Sequence, residues 1–442
     1  MLPNDAAALI IQAMKDAVSL PVLMPRIPGQ RWSCHSCAYC CRELFVHLFD
    51  DDCERIDRQG WADRLRAAPY VKAGRHKGLN KREDGACVFL DEHNRCKIHT
   101  EYGEDAKPLA CRLFPFSVRP NKHGWQASLR FDCPSVVRSE GQPVSQHRSW
   151  LVNVAKRLNH TLPPDGEEPL LQRGMRAASE EVDAVVTRFR RWLRSEDLPV
   201  TSRLIGAARV TTTLAGASYA KVRGSRFAEL LDLLFGALQS ECGSEPDRPS
   251  GRQRAMLLQL AFAHAEHMTL RDMRAGVLHR LRRRWSQVRC AKRFRVGKGQ
   301  VPPLPGLGGL TTFEAVDAVG RPATELDEID ELLIRYTVAR LEGRSAFGLG
   351  YYGWPLFSGL GALWLSIVAI GWLARYGAAL DGADSVALRH VGQAIGIVDR
   401  AATRLPALGT VAERMRSTYL LNDDGVARLL NRYSTASIEV GP

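Results

Sequence analysis

Nine of the eleven cysteines in this chain fall before residue 134, and their type and spacing are what could do chemistry. Cys34, Cys37, Cys40 and Cys41 form C-x2-C-x2-C-C within WSCHSCAYCCREL. Cys87 and Cys96 bound CVFLDEHNRC, Cys111 follows in ACRLFP, and Cys133 follows in FDCPSV. Two thiolates separated by two residues can reach one metal, because a tight turn brings both sulfurs to the same side. C-x2-C-x2-C supplies three sulfurs from one loop, as bacterial ferredoxins do for a [4Fe–4S] cluster whose fourth ligand comes from elsewhere. Cys41 adjoins Cys40, so their side chains diverge unless the backbone bends. That suggests two centres, or one ligand beside one structural thiol. Eight cysteines allow one cluster plus one zinc, two clusters, or one cluster with spare thiols. Thiolates suit zinc and iron–sulfur groups alike, so ligand type leaves both open.

Other candidates read as structural. Cys53, in DDDCERID, lies at a helix start and stands outside the set, while Cys242 and Cys290 are isolated in helical sequence. His35 and His99 flank the cysteines without the paired spacing of a zinc finger. His264 and His267, in AHAEH, are three apart on an expected helix with no carboxylate at a spacing that completes a site. Glu43, Asp84 and Glu104 are near the cysteines in sequence, but a catalytic base is recognised by geometry, so none is assigned. The opening MLPNDAAALIIQAMKDAV carries Asp5 and Asp16 and no basic stretch, and reads as an amphipathic helix and not a signal peptide. A reducing, cytoplasmic setting is therefore expected, where clustered cysteines are metal ligands sooner than disulfides.

At these residues the sequence resembles a known group. C-x2-C-x2-C-C, then CVFLDEHNRC, then ACRLFPF is similar to the YkgJ-type cysteine-cluster domain, a family described as zinc- or iron-chelating. The chain is similar also to the FliB-type flagellin lysine N-methylases, in CKIHTEYGEDAKPLAC, in SLRFDCPSV and in the late segment ELLIRYTVARLEGRSAFGLGYY. That second resemblance implies an iron–sulfur centre and S-adenosylmethionine-dependent methylation of a protein lysine. The chain departs from the methylases in its tight first spacing and in Ser135, where they carry Glu; CPSVVRSEGQPV reads as the YkgJ-type ending. The N-terminal resemblance covers about residues 30–145, and the later one rests on helical texture.

The chain lacks the usual cofactor signatures. A Rossmann-type site wants a Gly-rich turn between a strand and a helix. GLGGL (306–310) follows the linker-like VPPLP, and GLGYYG (348–353) follows a helix. The C-x3-C-x2-C spacing of radical S-adenosylmethionine enzymes is absent as well. S-adenosylmethionine would have to bind in another way, such as at an open iron of a cluster acting as Lewis acid or electron source.

The elements that position these residues follow from the rest of the chain. A length of 442 residues predicts two or three domains, and 45% hydrophobic with 25% charged residues is ordinary for a globular protein. We expect a mainly α fold, with a small irregular cysteine-rich metal-binding domain and a few short strands near CVFL and WQASLRF, followed by a helical region. The expected spans are 1–145 for the cysteine-cluster domain and 146–298 for a helical domain with a basic face. A Pro/Gly-rich linker or ordered loop follows over 299–312, then a C-terminal helical domain over 313–442. EEVDAVVTRFRRWLRSE (180–196), RFAELLDLLFGALQSEC (226–242) and RQRAMLLQLAFAHAEHMTLRDM (252–273) carry helical periodicity. Pro355 to Ala374 is uncharged and long enough to span a membrane, but Pro355, Ser358, Ser366 and three glycines point to a central core helix.

A net charge of +13 favours an acidic partner. Residues 271–298 hold the densest positive charge and read as an amphipathic helix with a solvated arginine face, able to dock an acidic protein partner or protein substrate. Nucleic-acid binding has little support, because Trp285 and Phe294 are the only aromatics there. Membrane association is not expected. Three functions follow: a metal-dependent protein lysine methyltransferase, a zinc-binding interaction module without catalysis, and an iron–sulfur redox sensor.

Overall fold

The computed structural model describes residues 21–438 apart from 75, 122–123, 159–166, 242–245 and 403. The expected N-terminal helix and Cys242 lie outside these residues. The fold is mainly α, with a small strand-containing N-terminal part followed by helices. One short hairpin, Leu170–Gln172 with Met175–Arg176, falls after residue 145, where only helices are expected; Gly174, at φ 76°, makes its turn.

The body is built around the helix Leu356–Leu380. It is apolar on all sides, and such a helix is stable only when enclosed. It is the one described helix long and apolar enough to cross a membrane, and its most apolar stretch is 94% buried within the fold. The helices Val200–Gly216, Gly251–Ala265, Leu388–Ala401 and Gly425–Tyr433 surround it. Glycine permits the closest approach: a Cβ on Gly371 would lie 1.9 Å from the Tyr433 carbonyl oxygen. The helix Ser179–Leu193 buries Val182, Val185, Val186, Phe189, Trp192 and Leu193, the face its periodicity predicts.

The helix expected over 252–273 is two helices. The first ends at Ala265, and a second, Leu270–Arg274, starts where the Thr269 hydroxyl accepts the Asp272 N–H. His264 and His267 are thus not one face of one helix. His264 is buried, and His267 lies in the connection.

The hydrophobic residues form two main cores. The smaller is made within the cysteine-rich region by residues such as Leu48, Cys53, Ile56, Trp61, Phe89 and Ile98. It lies beside an antiparallel sheet of His47–Leu48, His76–Leu79 and Tyr70–Ala73, with His76–Leu79 in the middle. The larger core runs from Val22 to Ala436. A second sheet belongs to it: Gly124–Leu129 is central, parallel to Val22–Leu23 and antiparallel to Phe116–Asn121. The spans 146–298 and 313–442 share this core. In the Pro/Gly-rich stretch between them Val301, Leu304 and Leu307 are buried and Gln300 is bridged to Thr312.

Two outcomes follow for stability. Gly371→Ala should lower it by about 2 kcal/mol or more in urea unfolding, because the helices must separate to admit a methyl group. Gly236→Ala, at an exposed position of the helix Ser225–Glu241 where the added Cβ meets nothing within 4 Å, should raise it by about 0.5–1 kcal/mol. A third outcome concerns acid. Burial holds the His264 imidazole down at about 3 from the ordinary 6.5. Between those values the unfolded chain takes up a proton that the folded chain refuses, so stability falls as the pH drops. The loss from this group should reach roughly 2 kcal/mol by about pH 5. In His264→Gln that part of the pH dependence should vanish from melting curves taken between about pH 7 and about pH 5.

Candidate metal centre

The C-x2-C-x2-C-C segment folds as a loop running into a one-turn helix, Tyr39–Glu43. Each two-residue spacer holds one residue in the left-handed region, Ser36 at φ 51° and Ala38 at φ 58°. These reversals coil the loop ahead of the helix, on which the Cys40 and Cys41 sulfurs lie 4.0 Å apart. The adjacent thiols do not diverge. The end of this helix is stitched to the next cysteine: the Cys87 N–H donates to the Cys41 carbonyl at 2.9 Å. Lys81 donates to the same carbonyl at 2.6 Å and to that of Arg42 at 3.1 Å.

The C-x8-C spacing is a hairpin. Leu90 bridges Cys96, and Asp91 Oδ1 accepts the backbone N–H groups of His93 (2.9 Å) and Arg95 (2.7 Å) at the turn. Cys111 stands on the short helix Leu109–Leu113. That helix is held by Asp52, whose Oδ1 accepts the Leu109 N–H at 3.1 Å and an ion pair from Arg55. Asp52 comes from the helix Asp50–Arg58, which also buries Cys53 in the smaller core.

These pieces surround one cavity of about 400 Å³ lined by Cys34, Cys40, Cys41, Cys87, Cys96 and Cys111. His99 is on its wall as well. The thiols sense one another. Burial pushes Cys87 up to about 11 and Cys111 well above its ordinary value, with Cys96 and Cys40 adding to both. The Cys40 thiol is pushed up first by its bond to Cys41 and then by burial. Together they form a soft donor set that favours protons until a cation balances the thiolates. Among the described residues no three of His, Cys, Asp or Glu already close around a single ion. The sulfurs line a space instead of a point.

Cys133 and Cys37 stand apart from that set. Cys133 is buried in the larger core and pushed up to about 11 by burial, with Cys37 raising it a little further. His35 accompanies this pair, its Nδ1 lying 3.1 Å from the Ser135 hydroxyl. Every described cysteine is a free thiol. Of the nearby carboxylates, Asp84 is exposed beside Arg82 and Arg42, and Glu104 is exposed near Lys107. Glu43 accepts Arg400 of the helix Leu388–Ala401 at 3.2 Å.

A second layer escapes reading by spacing. Arg400 also reaches the Tyr39 hydroxyl at 3.4 Å. Arg130 and Arg404, both on the wall of the thiol cavity, pair with the buried Asp132, Arg404 at 3.6 Å. Asp132, Tyr39, Glu43, Arg335 and Arg400 line a neighbouring cleft of about 790 Å³. Asp132 is the residue before Cys133, which was the available signal for it; Lys81 and Arg404 had none.

The comparisons with known proteins bear on the same stretch. Residues 33–134 match the CxxCxxCC family, described as a candidate zinc- or iron-chelating domain. "Uncharacterized protein MJ0939" of Methanocaldococcus jannaschii is 28% identical over 162 residues, which are 34% of this chain and 51% of that protein. The chain therefore spans about half the length of that curated relative. No solved structure matches. The family match concerns the cysteine cluster and carries nothing about methyl transfer. The segment similar to the zinc- or iron-chelating CxxCxxCC family is thus the one that walls the thiol-lined cavity.

Proposed function

We propose that the cavity holds an iron–sulfur cluster of the [4Fe–4S] kind, ligated by four thiolates drawn from Cys40, Cys41, Cys87, Cys96 and Cys111. The observation that carries this is a space of about 400 Å³ walled by thiols from three separate segments. A structural zinc site closes on its four sulfurs at about 2.3 Å and needs no void. Cys34 lines the same cavity, and Cys37 and Cys133 are outside its lining. Zinc in the same thiols is the second reading, because the family description names both metals. It would make the domain a docking module without catalysis.

The enzymatic reading attached to the cluster is S-adenosylmethionine-dependent methylation of a protein lysine. A cluster would supply Lewis acidity or electrons there. The chain's own residues supply the cleft next to it, of a size that takes a small-molecule cofactor or an inserted side chain. Asp132 is the buried carboxylate behind this cleft, and its Oδ1 has no hydrogen-bond partner. Burial raises its pKa to about 6 against the pull of Arg130. Arg130 and Arg404 bind Asp132 while facing the thiol cavity, so the two spaces share a wall.

Anaerobic purification with iron, zinc and acid-labile sulfide analysis tests the first step. About four irons and four sulfides per chain with a broad absorbance near ~400 nm are expected. Zinc without sulfide would overturn the cluster. Cys87→Ala and Cys111→Ala should each lose the centre, while Cys53→Ala and Cys133→Ala keep it. Titrating the loaded protein with S-adenosylmethionine should change the cluster's spectrum, and an unchanged spectrum would remove the methyl-transfer reading while leaving the cluster in place.

A further inference from the structure

The basic helix Val277–Val296 packs on the body by one edge. Phe294 is buried against Phe262, Phe313 and Trp372, with ring centroids 5.0, 5.3 and 5.8 Å away. Cys290 and Ala291, beside it, are partly buried. The opposite face carries Leu278, Leu281, Trp285 and Val288, which are 76%, 52%, 71% and 49% exposed. Steps of three, four and three residues put them on one ridge. The sequence suggests a solvated arginine face with the apolar side turned inward. In the structure the apolar ridge is in solvent too. Every charged residue of this helix is basic. Arg282 and Arg289 border the ridge on one side, and Arg280 and Arg284 on the other.

We propose that this ridge docks the protein on an anionic phospholipid surface, with Leu281 and Trp285 entering the interface and the bordering guanidinium groups at the lipid phosphates. The pattern is that of an interfacial helix: aliphatic residues around a central Trp, cations along both edges, and long Arg stems that reach headgroups while their methylenes stay apolar. Charge disfavours a second copy as the occupant, since it would set one wholly basic helix against another on chains of net charge +13. A nucleic acid would satisfy the arginines and leave Leu278, Leu281 and Val288 in water. Among the described residues the one helix long and apolar enough to cross a bilayer, Leu356–Leu380, is enclosed by the fold, so the proposed attachment is by the ridge.

Co-sedimentation of the full chain tests this with vesicles of phosphatidylglycerol and phosphatidylcholine in equal parts, and with phosphatidylcholine alone. Binding to the mixed vesicles only is expected, weakening with salt. Leu281→Ser combined with Trp285→Ser should weaken it about tenfold or more, for the loss of two apolar side chains from the interface. Both side chains are exposed, so the melting temperature of this variant should stay unchanged, which separates lost docking from lost folding. Brominated lipid should quench part of the wild-type tryptophan emission and quench less in Trp285→Phe, which keeps its binding. Undiminished binding by the double variant would overturn the proposal, as would no binding to mixed vesicles. In the second case, gel filtration showing a dimer that the variant loses would assign the ridge to a second copy. Retention of a DNA duplex would assign the arginines to nucleic acid, and retention of an acidic peptide by the wild type alone would assign the ridge to a protein groove.

Discussion

One buried carboxylate joins the metal-binding region to the rest of the molecule. Asp399, on the helix Leu388–Ala401, accepts the Phe131 N–H at 2.8 Å and Arg340 at 3.3 Å. Phe131 lies two residues before Cys133, and Arg340 belongs to the helix Leu326–Glu342. A single side chain thus fixes the strand end next to Asp132 against two helices. A buried charge is tolerated only when its hydrogen-bonding capacity is met, and removing one partner strands the other. Arg335 repeats the device one helical face away, donating to Gln30 Oε1 at 2.9 Å and the Val137 carbonyl at 3.1 Å. Arg400 extends it to the cysteine loop through Glu43 and Tyr39. The placement of the thiol cavity beside the cleft depends on these three arginines and Asp399.

What the sequence disclosed divides along the range of the interactions involved. Cys34 to Cys41 was legible because the chemistry of two-residue spacers is local. So was the core helix, whose composition admits no exposed face. That Cys87, Cys96 and Cys111 meet Cys40 and Cys41, while Cys133 does not, depends on contacts across tens of residues. The segment ending at Cys133 goes with the larger core because Phe131 and Val136 do. The helix break after Ala265 had a readable sign in Thr269 with Asp272 three residues on, a capping pattern hidden within an apolar periodicity that runs through it. Composition could not tell a spacer from a folded loop over 299–312; the apolar Val301, Leu304 and Leu307 decide it. The basic helix has apolar residues on two faces, and the packing of Phe294 among aromatic rings chose which one turned inward.

The two spaces near the cysteines are chemically unlike. One is walled by sulfur, and the other by paired carboxylates and guanidinium groups with Tyr39 at their meeting point. Their common wall is Arg130, Asp132 and Arg404, so a change of charge on one side alters the field on the other through a low-dielectric partition. A metal bound among the thiols would stand behind that wall.

Where the cysteine module leaves and re-enters the rest of the chain has a consequence of its own. Trp32 precedes the first cysteine of the motif, Phe116 follows the last one in the cavity, and their rings touch edge to face with centroids 5.4 Å apart. The chain departs and returns at one place. A segment whose ends meet can be carried within a host, lengthened or rebuilt without moving the host's own framework. The smaller core is in that sense a passenger on the helical body, which closes the cavity from the other side with Arg130 and Arg404.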